Sequence, residues 1–411
     1  MTEIQTIRKK VELQIASLQN ETEEIAEFNQ AKVLDAFQEN KVSDFHFNPS
    51  TGYGYDDEGR DTLERVYTDV FKTEAALVRP QIISGTHAIS TVLFGILRPG
   101  DDLLYLTGQP YDTLEEIVGI RSQGQGSLKD FQIGYDAVPL KSNGEVDFIE
   151  AAKKITSKTK MVGIQRSRGY ADRPSFKVEK IKEMIAFVKK INPNIIIFVD
   201  NCYGEFVERQ EPPEVGADII AGSLIKNPGG GLAKTGGYIA GKVELVDLCG
   251  YRLTTPGIGK EAGASLYSLL EMYQGFFLAP HVTSQAIKGA RFTAAMLAEF
   301  NVEADPVWDA PRTDLIQSIS FHNQEKMVAF AQAIQKASPV NAHVLPIGAY
   351  MPGYEDDVIM AAGTFIQGAS LELTADGPIR EPYQLYVQGG LTYEHVKIAV
   401  TRAIQNSLLK N

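Results

Sequence analysis

Short apolar runs alternate with helix-period segments along most of this chain, and that alternation restricts the folds open to it. Leu103-Leu104-Tyr105-Leu106, Met161-Val162-Gly163-Ile164, Ile195-Ile196-Ile197-Phe198-Val199, Asp218-Ile219-Ile220-Ala221 and Gly237-Tyr238-Ile239-Ala240 are strand-sized. They leave no polar face for water, so each strand is expected to be covered on both sides. Ala75 to Val78 is a further run. Between the runs, Leu63 to Phe71, Ala88 to Leu97 and Val178 to Ile191 read as helices. The expected class is α/β, a mostly parallel sheet with helices on both faces.

The two ends read differently. Val11, Ile15, Leu18, Ile25, Phe28 and Leu34 recur at near-helical spacing, which predicts an N-terminal helical arm over 1–50. Residues 41 to 62 read as loop, and the sheet-bearing large domain is expected over 51–285. Beyond it, a helix from Ser284 to Phe300, alternating Leu315 to Phe321, a helix from Gln324 to Lys336 and a last helix from Tyr393 to Leu408 predict a small α+β domain over 286–411.

Charge and cysteine usage exclude several functions. A net charge of −12 argues against nucleic acid as partner, because phosphate backbones are bound by clustered Lys and Arg. Cys202 and Cys249 lie too far apart in sequence to suggest a disulfide framework, so a reduced, cytoplasmic setting is expected. The N-terminal residues carry no signal-peptide pattern, and no apolar run is long enough to span a membrane. Six histidines without metal-ligand spacing predict no metal site, and no Gly-x-Ser-x-Gly elbow supports serine catalysis.

The chemistry concentrates at two strand ends. Asp200 closes the run Ile195 to Val199, where parallel sheets bind ligands. Lys226 lies downstream in Gly222-Ser223-Leu224-Ile225-Lys226-Asn227-Pro228-Gly229-Gly230-Gly231. A lysine amine can bond to the aldehyde of pyridoxal phosphate, and a carboxylate can keep the pyridine nitrogen protonated. Alone, Lys226 would read as a surface lysine and Asp200 as a turn cap. Lys234 competes for the lysine role. A lysine in a closed, partly apolar cleft is expected to have its pKa lowered. Ser84-Gly85-Thr86 enters a helix whose free N–H groups suit a phosphate, and the same residues would serve as a plain N-cap.

Taken in order, Tyr53 to Arg60, Arg79 to Ala88, Pro110 to Leu114 and Gly222 to Gly231 resemble the methionine gamma-lyase-like, or aluminium resistance, branch of the cystathionine beta-lyase-like enzymes of fold type I. The resemblance spans roughly residues 30 to 405. It implies a seven-stranded sheet in the large domain and pyridoxal 5′-phosphate as cofactor. It implies that Lys226 carries the cofactor with Asp200 at the ring nitrogen, and that Ser84, Gly85, Thr86 and Ser223 hold the phosphate. Tyr111 would stack on the ring and move a proton, or else be a core tyrosine. Tyr55, or Tyr53 in its place, and Arg60 would reach the phosphate of an adjacent subunit, making a homodimer or homotetramer with shared sites. The relatives' substrate-binding arginine has no match in Tyr386 to Gly390, which leaves Arg380 and Arg168 as candidates. The implied reaction is β- or γ-elimination on a cystathionine-, cysteine- or methionine-type amino acid, giving a thiol, ammonia and a 2-oxo acid. An aminotransferase, an aldolase-type enzyme and a cofactor-binding stress-response protein without turnover are the alternatives.

Overall fold

Strands and helices alternate through the first two thirds of the chain, as the apolar runs require. The computed structural model describes residues 3–121, 124–351 and 354–409. Helices α1 (Glu3–Gln14) and α2 (Ala16–Glu39) form the N-terminal segment. Then come α3 (Glu58–Phe71), β1 (Ala75–Arg79), α4 (Gly85–Ile96), β2 (Asp102–Tyr105), α5 (Asp112–Val118), β3 (Gly134–Ala137) and α6 (Phe148–Lys154). They are followed by β4 (Thr159–Gln165), α7 (Val178–Ile191), β5 (Ile196–Asp200), β6 (Ile219–Ser223), β7 (Gly237–Gly241) and α8 (Val243–Leu253). The seven strands form one sheet in the order β1-β7-β6-β5-β4-β2-β3.

Strands β2 to β6 are parallel, and β7 runs antiparallel to both neighbours, β1 and β6. Alternate side chains feed the two faces. Ile197, Val199 and Ile220 pack with Leu63 of α3 and Ile181 of α7 on one side. Phe198, Ile219 and Ala221 pack with Val92 of α4 and Val246 of α8 on the other. Both faces are therefore dry, which is why the strands carry no polar alternation.

Helix α9 (Leu269–Ala298) links this sheet to a second one. The expected helix starts only at Ser284; in the structure it begins at Leu269, and Pro280 sits inside it. Proline removes one backbone bond, and burial on both sides of Pro280 outweighs that loss. Met272, Tyr273 and Phe276 enter the large-sheet core, whereas Phe292, Ala295 and Met296 enter the core of the second sheet. The expected division after residue 285 thus falls within one helix. β8 (Glu303–Asp305), β9 (Gln317–Ser320), α10 (Gln324–Lys336), β10 (Val358–Ala361), β11 (Thr374–Pro378), β12 (Gln384–Gln388) and α11 (Tyr393–Ser407) complete the chain. Their antiparallel sheet has the order β10-β11-β12-β9-β8. Helix α1 packs here too, through Ile4 and Val11.

Candidate active site

The C-terminal ends of β4, β5 and β6 lie side by side, since Gln165 pairs with Asp200 and Asp200 with Ala221. The N-terminus of α4 faces them. A narrow cleft opens there, lined by Gly85, Thr86, Tyr111, Asp200, Tyr203 and Lys226 among others. A parallel sheet places a ligand at this edge because its strand ends and helix N-termini converge.

Lys226 follows β6 and precedes a tight turn, Asn227–Gly229. That turn packs directly on α9: a Cβ on Gly230, whose φ is +55°, would strike the backbone of Gly275. The glycine run is needed for this approach rather than for binding a phosphate. The Lys226 Nζ lies 4.0 Å from the centre of the Tyr203 ring. Lys234, by contrast, is exposed and ion-paired with Glu271.

The expected lowering of the Lys226 pKa is overturned. Burial does oppose the charge, but Cys202, Tyr203, Asp200 and Glu205 together outweigh it, and the pKa lies well above the ordinary value. Desolvation is legible from an apolar cleft, whereas the neighbours that favour the charge are brought in by the fold. Asp200 is buried, and burial raises its pKa despite Lys226 and the Cys202 N–H, which donates to its Oδ1 at 3.2 Å. The neighbouring Glu205 is wholly buried, held by the Tyr238 hydroxyl at 2.8 Å, and pushed up to about 8, chiefly by burial. Sequence reading passed over Tyr203 and Glu205. The clue was the dense polar run Asp200-Asn201-Cys202-Tyr203-Gly204-Glu205 after an apolar strand.

The opposite wall has an anion-binding character. Ser84 caps α4 by accepting from the His87 N–H at 3.0 Å, and Thr86 Oγ1 is 3.2 Å from Thr113 Oγ1. A Cβ on Gly85 would come within 3.2 Å of Cys202 Sγ and 3.3 Å of Ser223 Cβ, so glycine eases the close approach of the strand ends to this helix. The Ser223 Oγ is buried there with no hydrogen-bond partner. A buried hydroxyl left unpaired beside free helix N–H groups fits an absent oxyanion. These residues, with Asp200 and Lys226, fit pyridoxal 5′-phosphate.

Tyr111 forms the rim. Gly169 has a φ of +58°, and a Cβ there would lie 2.6 Å from the Tyr111 ring, so glycine makes room for it. The Tyr111 hydroxyl contacts that of Tyr354, and burial holds its pKa well above the ordinary tyrosine value.

The remaining candidates lie outside this cleft. Arg60 is buried, and its guanidinium binds the carbonyls of Gly54 at 2.6 Å and Gly263 at 3.1 Å. It fastens two loops together. Tyr55 is exposed and stacked on Tyr53, with ring centres 5.4 Å apart. Arg168 turns to Asp305, and Arg380 pairs with Asp356 at 3.0 Å in an adjoining hollow that also holds Asp112 and Tyr354. Among the described residues no cluster of three or more His, Cys, Asp or Glu is placed to hold a metal, and no helix is long and apolar enough to cross a membrane.

Residues 4–408 match the family model described as methionine gamma-lyase. The chain belongs to the methionine gamma-lyase family. A Listeria innocua protein provisionally named a cystathionine beta-lyase involved in aluminum resistance is 89% identical, with a TM-score of 0.98 over 99% of this chain and all of that one. The uncharacterized protein YnbB of Bacillus subtilis (strain 168) is 67% identical over 402 residues, covering 98% of this chain and 96% of the relative. The pyridoxal-5′-phosphate dependent protein YhfS of Escherichia coli, 16% identical, shares the fold with a TM-score of 0.60 over 92% of this chain and 96% of that one. The resemblance carried by Tyr53 to Arg60 and Gly222 to Gly231 is thereby borne out. The fold is that of the fold-type I enzymes, and the family implies pyridoxal 5′-phosphate as cofactor.

Proposed function

We propose that this chain is a carbon–sulfur lyase that eliminates a thiol from a sulfur-containing amino acid and releases ammonia and a 2-oxo acid. The reading is supported by family membership and by the provisional name of the Listeria innocua relative. The observation that carries it is the setting of Lys226, a half-buried amine over the Tyr203 ring in the cleft that Asp200 also lines.

When bound, pyridoxal 5′-phosphate supplies an electron sink next to the substrate α-carbon. Asp200 would hold the ring nitrogen, and the α4 N-terminus with Ser223 and Thr86 the phosphate. Lys226 is the base for the α-proton. Asp200 and the Tyr203 ring stabilise its charged form, and this strengthens the neutral amine as a base. As the C–S bond breaks, its electron pair goes to sulfur, which takes a proton to leave as a thiol. The Tyr111 hydroxyl, protonated and at the rim, would give it. Water completes the release of ammonia and the 2-oxo acid.

The neighbour's contribution belongs to the same proposal. Tyr53, Tyr55 and Tyr267 stand exposed on loops that Arg60 ties together. An exposed aromatic group of this kind suits a subunit contact. Arg60 would then stiffen the loop, and Tyr55 would be the residue that reaches the neighbour.

The test uses the cofactor-loaded protein with L-cystathionine, L-cysteine and L-methionine in turn. Thiol, ammonia and 2-oxo acid should form with no added amino-group acceptor, and the visible cofactor band should change on mixing. Lys226→Ala should lose both turnover and the band change. A requirement for an amino-group acceptor would make the protein an aminotransferase. Full activity in Lys226→Ala would remove the mechanism.

A further inference from the structure

A second cleft, with a volume of about 390 Å³ and open to solvent, lies between α2, the turn Val207 to Gln210, α9 and the segment Asp309 to Arg312. It shares no lining residue with the Lys226 cleft. Its floor holds two arginines, Arg291 from α9 and Arg312, which are only 5% and 6% exposed. In each guanidinium, Nε and Nη1 are buried without a hydrogen-bond partner. Arg312 donates from Nη2 to Gln317 Oε1 at 2.5 Å. Neither arginine forms an ion pair with a described residue.

The carboxylates nearby answer this charge only in part: Asp314 and Asp305 favour the Arg312 charge and Glu21 that of Arg291, but none of them is ion-paired with either arginine. Glu208 lines the cleft, but it accepts from Arg166 at 3.0 Å, from Thr313 at 2.6 Å and from the Val178 N–H at 3.1 Å. Glu21, Glu179 and Asp309 are exposed at the mouth, where water screens them. Burial, with Arg291 close by, pushes the Arg312 pKa down to about 9. A buried, unpaired cation is costly, and a pair of them more so. A fold keeps such a pair when something binds there.

We propose that Arg291 and Arg312 form a binding site for a phosphate group, separate from the catalytic cleft. Two positive charges lining one cleft match a doubly charged oxyanion with several acceptor oxygens. A carboxylate brings one charge and would leave the second cation unanswered. The acidic mouth disfavours a polyanion, so the ligand is a single phosphate, either free or as the ester of a small molecule.

The experiment titrates the cofactor-loaded protein, whose own phosphate site is filled, with inorganic phosphate at constant ionic strength in chloride. Binding heat and melting temperature are both followed. Wild type should show saturable binding and a phosphate-dependent rise in melting temperature. Arg291→Met and Arg312→Met should each weaken binding at least tenfold. Two variants are used so that one that fails to fold does not leave the site unprobed. Glycerol phosphate separates the sources: tighter binding than inorganic phosphate assigns the site to phosphate esters, and weaker binding to the free ion. No saturable binding by wild type, or unaltered binding in a folded variant, overturns the proposal. So does an analytical structure in which a neighbouring subunit's carboxylate fills the pair.

Discussion

Arg166 and Arg312 are both buried guanidiniums, and their surroundings are opposite. Arg166 is fully buried, with Nη1 bound to Asn201 at 2.8 Å and Glu211 at 3.1 Å, and Nη2 to Glu208 at 3.0 Å. Burial works against its charge, yet Glu211 and Glu208 outweigh it and raise its pKa. Arg312 has one amide oxygen as its partner, and its pKa falls. Burial alone therefore says little about a charge's purpose. The inventory of partners separates a structural cation from one awaiting a ligand. Lys226 falls between the two, since its carboxylates support the charge while its amine stays at the wall of an open cleft.

The largest expected effect tests that middle case. Asp200→Ala should lower kcat on a sulfur amino acid by roughly 10²-fold or more, as expected when a partner for developing charge is removed from a dry site. A kcat within a few-fold of wild type would mean that Asp200 only caps its turn. Next comes Arg166→Met, which strands Glu211 and Glu208 without their cation. It should cost about 3–5 kcal/mol in denaturant-induced unfolding, the usual penalty for breaking one side of a buried pair. A loss below about 1 kcal/mol would abolish the contrast with Arg312.

Much of this was legible because the information is local. Apolar runs without polar alternation fix strands covered on both faces, and Asp200 stands where such a strand must end. Lys226, Ser223 and Gly85 sit in short segments whose residue types carry the chemistry. The direction of β7 was not legible, since an apolar run looks alike either way along the sheet. Helix α9 was half-hidden, since the tolerance of Pro280 within it comes from packing against two cores. The surroundings of Arg60 were not legible for a similar reason: besides Gly54 and Asp61 close by, its guanidinium binds carbonyls of residues 261–263, some two hundred positions away. Arg291 reads as one more polar residue on a helix, and only the tertiary packing removes its water.

Glu205 tests the anionic side of the comparison through pH. Folded, its carboxyl loses its proton near 8; unfolded, near 4.5. Between those values the folded chain holds a proton that the unfolded chain has released, so this group's contribution to stability falls as pH rises. Glu205→Gln removes that dependence. In the cofactor-free chain, wild type should lose more stability than the variant between about pH 5 and pH 8, by an amount on the order of a few kcal/mol. Parallel stability curves for the two proteins would mean that Glu205 is ionised when folded, its charge held by Lys226.

The smallest effect should come from Arg312→Met in phosphate-free chloride buffer, and its smallness is the point. Methionine keeps an unbranched stem and removes an unpaired buried charge, at the cost of one hydrogen bond to Gln317. That lost bond, about 1 kcal/mol, and the relieved desolvation act in opposite directions. Unfolding free energy should therefore change by no more than about 1 kcal/mol, or rise, while Arg166→Met in the same buffer loses several-fold more. A loss for Arg312→Met as large as that for Arg166→Met would show that the guanidinium is held by the folded chain itself. The two arginines would then belong to one structural class, and the cleft between α2 and α9 would have no bare charge to offer a ligand.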